Sequence, residues 1–400
     1  MNFNDVITID FETFKIEPRP HYPPKPVGVA IKYGAKKSAY FVGDDMRELV
    51  CRAFESKCPL LFHNAKFDID VAETHCGARR ADWRRVHDTL PALFISDPRA
   101  PDYHLKSSAE RLLGEPPTER DAVTDWLVQH QPVPNVRITR SYGSEHYVGA
   151  YISAAPVELV APYACGDVDR TWRLAKYVFA DLARRKMTAA YDLERELLLG
   201  LLDMERTGLR VDLPGLQACV VDGDAALARL DAWLRKKLKA KAINLDAPQQ
   251  LIAAAIEAGL ADRAQLAVTA TGKVSAAKDS ILGAVVDKQF LAALQYRSKL
   301  VTCLKMFVRP WAATAEASGG FIYTTWNSTR KESDGGARTG RLSSSPNFQN
   351  MPKLDTNPFD GLEAPVPLPG LPQMRRFILP YANEVLVGRD FNGQELRMLA

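Results

Sequence analysis

The chain has no run of about 18 consecutive apolar residues, so it encodes no helix of transmembrane length. It also lacks the basic and then apolar opening of a secretory signal, beginning Met1-Asn2-Phe3-Asn4-Asp5. Its six cysteines, at 51, 58, 76, 165, 219 and 303, include no C-x-x-C pair. That argues against a structural zinc site or a disulfide scaffold and fits a reducing, cytoplasmic compartment. Histidine is absent beyond His146, so residues 147–400 host no imidazole chemistry. Glycine and proline, 24 and 26 of 400 residues, are too few for a collagen-like or low-complexity chain. The formal net charge is only +4, which permits a polyanionic partner without requiring one. What remains is the composition of ordinary folded domains, 46% hydrophobic and 25% charged, in a chain long enough for two or three of them.

The first part reads as α/β. Val6-Ile7-Thr8-Ile9 is a β-branched run suited to a buried strand, and a proline-rich loop follows, with prolines at 18, 20, 23, 24 and 26. Val27 to Tyr33 and Ser38 to Val42 predict a hairpin around Gly34. Asp44 to Phe54 predicts a helix, Pro59 to Phe62 a short strand and Lys66 to Cys76 another helix. Residues 115–148 are polar and proline-spotted and predict irregular structure; from Val157 to Phe179 a helical pattern returns.

Beyond residue 180 the pattern is mostly α. Ala189 to Arg206 carries Leu193, Leu197, Leu201 and Met204 at helical spacing and stops at Thr207-Gly208. Residues 213–241 and 281–308 also read as long helices. The stretch from Trp326 to Pro352 is polar and glycine-rich, and a second proline-rich loop covers 358–372. Glu384 to Asp390 is strand-like, and Gln394 to Ala400 begins a helix.

Three acidic segments stand out. Asp10-Phe11-Glu12 closes the first strand, and residues i and i+2 of a strand face the same way. Asn64-Ala65-Lys66-Phe67-Asp68 lies at a strand-to-helix junction. Tyr163-Ala164-Cys165-Gly166-Asp167 lies on a helical pattern, with phenol and carboxylate one turn apart on one face. Singly, each has an ordinary explanation: a solvated turn, a helix cap, a half-buried aromatic. Their order in one α/β region is what carries weight. If the sheet brings Asp10, Glu12, Asp68 and Asp167 together, their charges repel unless divalent cations are bound. All-oxygen ligands suit Mg²⁺ or Mn²⁺. Two such ions about 3.5–4 Å apart clamp both oxygens of an in-line displacement at phosphorus. A zinc site from His63, His75, Cys76 and His87 fits no zinc spacing.

The set resembles the three exonuclease motifs of the DEDD nucleases in the tyrosine subtype: Thr8 to Thr13, His63 to Asp68, and Tyr163 to Asp167. The resemblance implies an RNase H-like fold, metal ligation by Asp10, Glu12, Asp68 and Asp167, a water-orienting Tyr163 and a secondary DNA contact from Asn64. His87-Asp88-Thr89 is similar to the family as well, with Asp88 supporting the site from behind.

A second resemblance lies further on. Thr339-Gly340-Arg341-Leu342-Ser343-Ser344-Ser345-Pro346-Asn347-Phe348-Gln349-Asn350-Met351-Pro352 resembles a palm signature of family A DNA polymerases, with one residue fewer between the serines and the proline. It implies that Arg341, Asn347 and Gln349 touch the primer–template duplex, where such side chains read minor-groove acceptors common to all base pairs. Asp390-Phe391-Asn392-Gly393-Gln394-Glu395-Leu396-Arg397 resembles the family's motif A. There Asp390 would bind the catalytic ions and Glu395 would exclude a 2′-hydroxyl. Phe391 replaces the more usual tyrosine, and Asn392-Gly393-Gln394 departs from the commoner Ser-Gln-Ile. Met204 to Asp212, Thr271-Gly272-Lys273 and Tyr296 to Lys299 are similar to thumb segments. The cluster Arg235-Lys236-Lys237-Leu238-Lys239-Ala240-Lys241 suits either phosphate tracking or a solvated helix face, and Arg375-Arg376 is ambiguous in the same way.

Together these imply an exonuclease domain over 1–180 with a mixed sheet and flanking helices, a mostly α thumb over 181–318, and the beginning of an α+β palm over 319–400. The implied activity is template-directed DNA synthesis with 3′→5′ proofreading, using two Mg²⁺ or Mn²⁺ ions per site, on primer–template DNA, single-stranded 3′ ends and dNTPs. It places the protein in bacterial or phage-infected host cytoplasm, away from membranes. The family's nucleotide-gripping helix and second catalytic carboxylate follow motif A, so the expectation is that these 400 residues do not extend a primer alone. Either they are a fragment of a longer polymerase or a second polypeptide completes it; a processivity factor is a further candidate partner. The absence of a 5′-nuclease region before Asp10 leans towards a phage-type enzyme. The rivals are a standalone exonuclease similar to RNase D and a non-catalytic DNA-binding subunit of a split polymerase.

Overall fold

Alternation along the first strand sets up everything around it. In β1 (Ile7–Thr13) the odd positions Ile7, Ile9 and Phe11 are apolar, and the even positions Thr8, Asp10 and Glu12 are polar. The computed structural model describes residues 2–116, 119–140, 147–267, 278–329, 339–353, 356–390 and 392–393, and they form two compact units. The first comprises Met1–Thr207 with Tyr323–Asn347; the second comprises Gly208–Ile322 with Phe348–Ala400.

In the first unit β1 is the middle strand of a five-stranded mixed sheet. β2 (Pro26–Tyr33) pairs with it antiparallel, and β3 (Ala39–Phe41) pairs with β2, completing the expected hairpin. On the other side β4 (Leu60–Phe62) and β5 (Val86–Asp88) add in parallel, giving the order β3-β2-β1-β4-β5. Ile7, Ile9 and Phe11 pack with Met46, Val50 and Phe54 of α1 (Gly43–Glu55) and with Ile69 of α2 (Ala65–Val71). α3 (Thr89–Ser96) and α4 (Leu105–Leu113) follow β5. β1 does not end at its acids, as the sequence suggested, but runs through them to Thr13.

α5 (Glu119–His130) occupies part of the stretch expected to be irregular. Its Val123 and Leu127, one turn apart, are buried against Ile138, Val148, Ile152 and Val160, so two well-placed apolar residues suffice where composition gave no signal. α6 (Val157–Arg184) buries a stripe through Val160, Ala164, Val168, Thr171, Ala175 and Val178, and Asp167 lies within that stripe. α7 (Thr188–Thr207) ends where the sequence predicts, with Gly208 at φ +65°. Of the residues expected on its buried stripe, Leu201 is buried but Leu193, Leu197 and Met204 are exposed, and the buried face runs instead through Tyr191, Arg195, Leu198, Leu202 and Glu205. Two charged residues hold buried positions on it because they are partnered: Glu205 pairs with Lys66, and Arg195 bonds His87 at 2.9 Å. A short antiparallel pair, Thr325–Asn327 with Ser343–Ser345, belongs to this unit.

The second unit is mainly helical. α8 (Leu213–Lys237) starts at Asp212, whose carboxylate accepts from the Gly215 backbone N–H at 3.0 Å. α9 (Pro248–Glu257), α10 (Lys278–Ala284), α11 (Lys288–Cys303) and α12 (Arg309–Ala317) surround one core containing Leu230, Phe290, Tyr296 and Trp311. The ring of Trp311 packs on Phe348 at 4.6 Å. The strand expected over Glu384 to Asp390 does not form. Val385, Leu386 and Val387 are 82%, 60% and 78% exposed, and among the described residues no neighbouring strand pairs with them. A β-pattern without a sheet partner has nothing to complete its backbone hydrogen bonds.

Candidate metal centre

β1 projects Asp10 and Glu12 from one face, and α6 carries Asp167 to that face. One carboxylate oxygen from each lies within 4.8 Å of the other two. Asp68 arrives from α2. Its Oδ1 accepts a hydrogen bond from the Phe11 backbone N–H at 3.0 Å, the amide between the two β1 acids. Asp68, Glu12 and Asp167 are buried and Asp10 is half-buried. Three of the four predicted acids thus share one cluster within the first unit, and the fourth, Asp68, is held against the same strand beside it.

Their electrostatics follow from burial and proximity. Burial, then the neighbouring Asp167 carboxylate, pushes Asp10 up to about 8. Burial, Asp10 and Asp167 hold Glu12 well above the usual range. Asp68 is raised chiefly by burial and Asp10, with the Phe11 N–H pulling the other way. A cluster that resists ionising on its own is one that cations complete, and its all-oxygen donor set fits Mg²⁺ or Mn²⁺.

Asp88 works behind this cluster. Its two carboxylate oxygens accept from the backbone N–H groups of Asn64 (2.9 Å) and Ala65 (2.8 Å), fixing the start of the helix that bears Asp68. The same carboxylate caps α3 through Leu90 N–H at 2.9 Å. The Tyr191 hydroxyl is 2.9 Å from the Asp88 backbone N and accepts its proton. Asn64 itself takes a left-handed backbone, φ 73°, and its side chain is exposed. Tyr163 is half-buried one turn before Asp167. His63, His75 and His87 are spent elsewhere, on Thr89, the Pro23 carbonyl and Arg195.

Sequence reasoning missed the cations. Lys106 Nζ on α4 lies 3.0 Å from Asp167 Oδ2 and 3.7 Å above the centre of the Tyr163 ring. Arg170 Nη1 is 3.2 Å from Asp167 Oδ1. The i, i+3 spacing of Asp167 and Arg170 on one helix was a readable signal; Lys106 comes from a distant helix and had none. Tyr40 was also missed. Burial and then the Glu12 and Asp10 charges push its phenol upward, which puts its ring beside the cluster.

The polymerase-motif residues are placed differently. Arg341, Asn347 and Gln349 are exposed. Asp390 is exposed and joins no cluster of three potential ligands among the described residues. Glu395 lies outside the described residues, as do the thumb-like Thr271-Gly272-Lys273 and the start of a helix over 394–400. Comparison with known proteins bears on that region. Residues 217–400, less than half of the chain, match the model of DNA polymerase family A. The thermostable DNA polymerase I of Thermus aquaticus is 28% identical over 296 residues, covering 72% of this chain and 31% of that protein. DNA polymerase DpoZ of Vibrio phage phiVC8 is 29% identical over 205 residues, covering 50% and 32%. The thermostable DNA polymerase I of Thermus thermophilus is 31% identical over 217 residues, covering 52% and 23%. The chain therefore spans less than a third of the length of each. In fold it resembles the POL domain of Pol1 from M. smegmatis, solved with DNA primer-template and dNTP. That likeness has a TM-score of 0.60 at 18% identity and covers 86% of this chain and 52% of that one.

Proposed function

We propose that residues 1–180 form a 3′→5′ exonuclease of RNase H-like fold that proofreads for a family A DNA polymerase. The observation that carries this reading is the meeting of Asp10, Glu12 and Asp167, with Asp68 held against the same strand. These carboxylates would hold two Mg²⁺ or Mn²⁺ ions, which supply the positive charge that activates a water and stabilises the leaving 3′-oxygen. The chain's own groups do the rest. Tyr163 orients the attacking water through its hydroxyl. Asp88 keeps the Asn64–Asp68 turn in place, and the exposed Asn64 side chain meets the strand. Lys106 and Arg170 balance charge on Asp167. The substrate is the terminal phosphodiester of single-stranded or frayed DNA.

For the remainder we propose a thumb over 181–318 and part of a palm over 319–400. Arg341, Asn347 and Gln349 would lie against the duplex, Asp390 in the polymerase metal site and Glu395 against the nucleotide sugar. Two-ion chemistry needs a second anionic anchor near Asp390. dNTPs and DNA are the partners this implies.

The test is direct. The purified chain with Mg²⁺ should shorten 3′-labelled single-stranded DNA from its end, and Asp10→Ala and Asp167→Ala should not. Retained cleavage in either variant overturns the site.

A further inference from the structure

One half-buried side chain beside the metal centre, with a buried hydroxyl, has no task in the mechanism above. Tyr40 stands on β3 opposite Ala30 of β2, which stands opposite Asp10 of β1. Cross-strand partners share a face, so Asp10, Ala30 and Tyr40 form one row on the side of the sheet that α6 covers. The next row on that face pairs Glu12 with Gly28. β2 therefore offers only an alanine and a glycine there, while its other face carries Val29 and Ile31.

The Tyr40 ring uses that gap. A Cβ added to Gly28 would fall 2.2 Å from the Tyr40 hydroxyl oxygen and 2.3 Å from the ring carbon that bears it. The ring thus leans across β2 until its hydroxyl stands where the missing side chain would begin. Directly opposed Cβ positions in such a pair are about 4.5–5.5 Å apart, so the hydroxyl, 2.2 Å from one of those positions, lies in the same row as the Glu12 Cβ. The Glu12 carboxyl carbon is two bonds further out and can reach it. The hydroxyl is buried and has no hydrogen-bond partner among the described residues. Buried polar groups left in that state are uncommon and call for an explanation. Hydrogen bonds of catalytic groups are often open in the unloaded state and close when the site is filled.

We propose that Tyr40 is a positioning residue for Glu12: its hydroxyl donates a hydrogen bond to the Glu12 carboxylate when the cluster is loaded, and holds that carboxylate towards Asp10 and Asp167. Groups that orient ligand carboxylates in this way change metal affinity as well as rate. The inference rests on the nuclease reading and deepens it. It gives Gly28 a reason too: any side chain there would occupy the hydroxyl's place.

The test titrates the full chain with Mn²⁺ by calorimetry, taking as the cluster's signal the heat that Asp10→Asn removes. Tyr40→Phe keeps the ring and deletes the hydroxyl. Its Mn²⁺ binding should weaken by about tenfold. On single-stranded DNA its kcat should fall by a similar factor at unchanged KM, and the melting temperature without ions should stay level. Gly28→Ala, whose added Cβ displaces the hydroxyl and also crowds the Phe41 carbonyl oxygen at 2.8 Å, should lose Mn²⁺ affinity by at least as much. If Tyr40→Phe binds Mn²⁺ and cleaves DNA as the parent does, the Tyr40 assignment is wrong and the nuclease reading stands. If the parent chain itself neither binds Mn²⁺ through Asp10 nor cleaves DNA, both fall.

Discussion

The acids around Asp10 and the acid at Asp390 occupy opposite conditions. The first group is buried apart from the half-buried Asp10, drawn from a strand and two helices, and braced by backbone donors and by Lys106 and Arg170. Asp390 is exposed, at the end of a segment whose apolar residues are also exposed. A metal centre built from one sheet and its covering helix can be complete within a single compact unit. A centre that draws on several distant segments cannot be read from one of them.

The sharpest way to break that contrast is by substitution. Asp167→Ala should lower 3′-end hydrolysis by roughly a thousandfold, since several kcal/mol of charge stabilisation are lost. Asp390→Ala should leave the same rate unchanged; an equal loss in both would erase the distinction. Next comes stability. Asp88→Ala strands the N–H groups of Asn64, Ala65 and Leu90, and should cost about 2–3 kcal/mol in urea unfolding. Asp212→Ala in the second unit strands one N–H, that of Gly215, and should cost about 1 kcal/mol.

A smaller effect is expected from pH. Asp10 is raised to about 8 in the folded chain, so it stays protonated there after the unfolded chain has lost its proton. Stability of the ion-free protein should therefore fall as pH rises through that value. His63, lowered to about 4, and His87, lowered to about 3, are neutral in the folded chain but half protonated when unfolded at pH 6.5, so they offset part of the effect near pH 6.5 and none of it above about pH 7.5. A melting temperature lower by roughly 2–4 °C at pH 8.5 than at pH 6.5 is expected, smaller in Asp10→Asn and larger in Lys106→Met. Calorimetric scans in a chelating buffer check it. The smallest effect belongs to the exposed segment: Val387→Ser should shift stability by less than about 0.5 kcal/mol, measured by the same unfolding curves.

Some of this was legible in the residues and some was not, for physical reasons. β1, the β2–β3 hairpin, α1 and α6 follow from β-branched runs and helical spacing, because their apolar residues are the ones that became buried. The four acids were found through their order along the chain, which local motifs preserve. α5 escaped because Val123 and Leu127 are few among polar neighbours. The face of α7 was misjudged because Arg195 and Glu205 hold buried places, and only their tertiary partners make that affordable. The strand over Glu384 to Asp390 has the right pattern, yet pattern alone supplies no sheet. Lys106 and Tyr40 come from a helix and a strand far from the motifs in sequence, and no spacing rule links them to the carboxylates they approach.

Lys106 has a consequence for handling the protein. An ammonium anchored on α4 already sits against Asp167, so a chelated sample keeps a resident placeholder for part of the charge. On the proposed nuclease reading, stripping divalent ions should silence 3′-end hydrolysis without collapsing the fold, and refilling should then be a matter of exchange rather than of refolding.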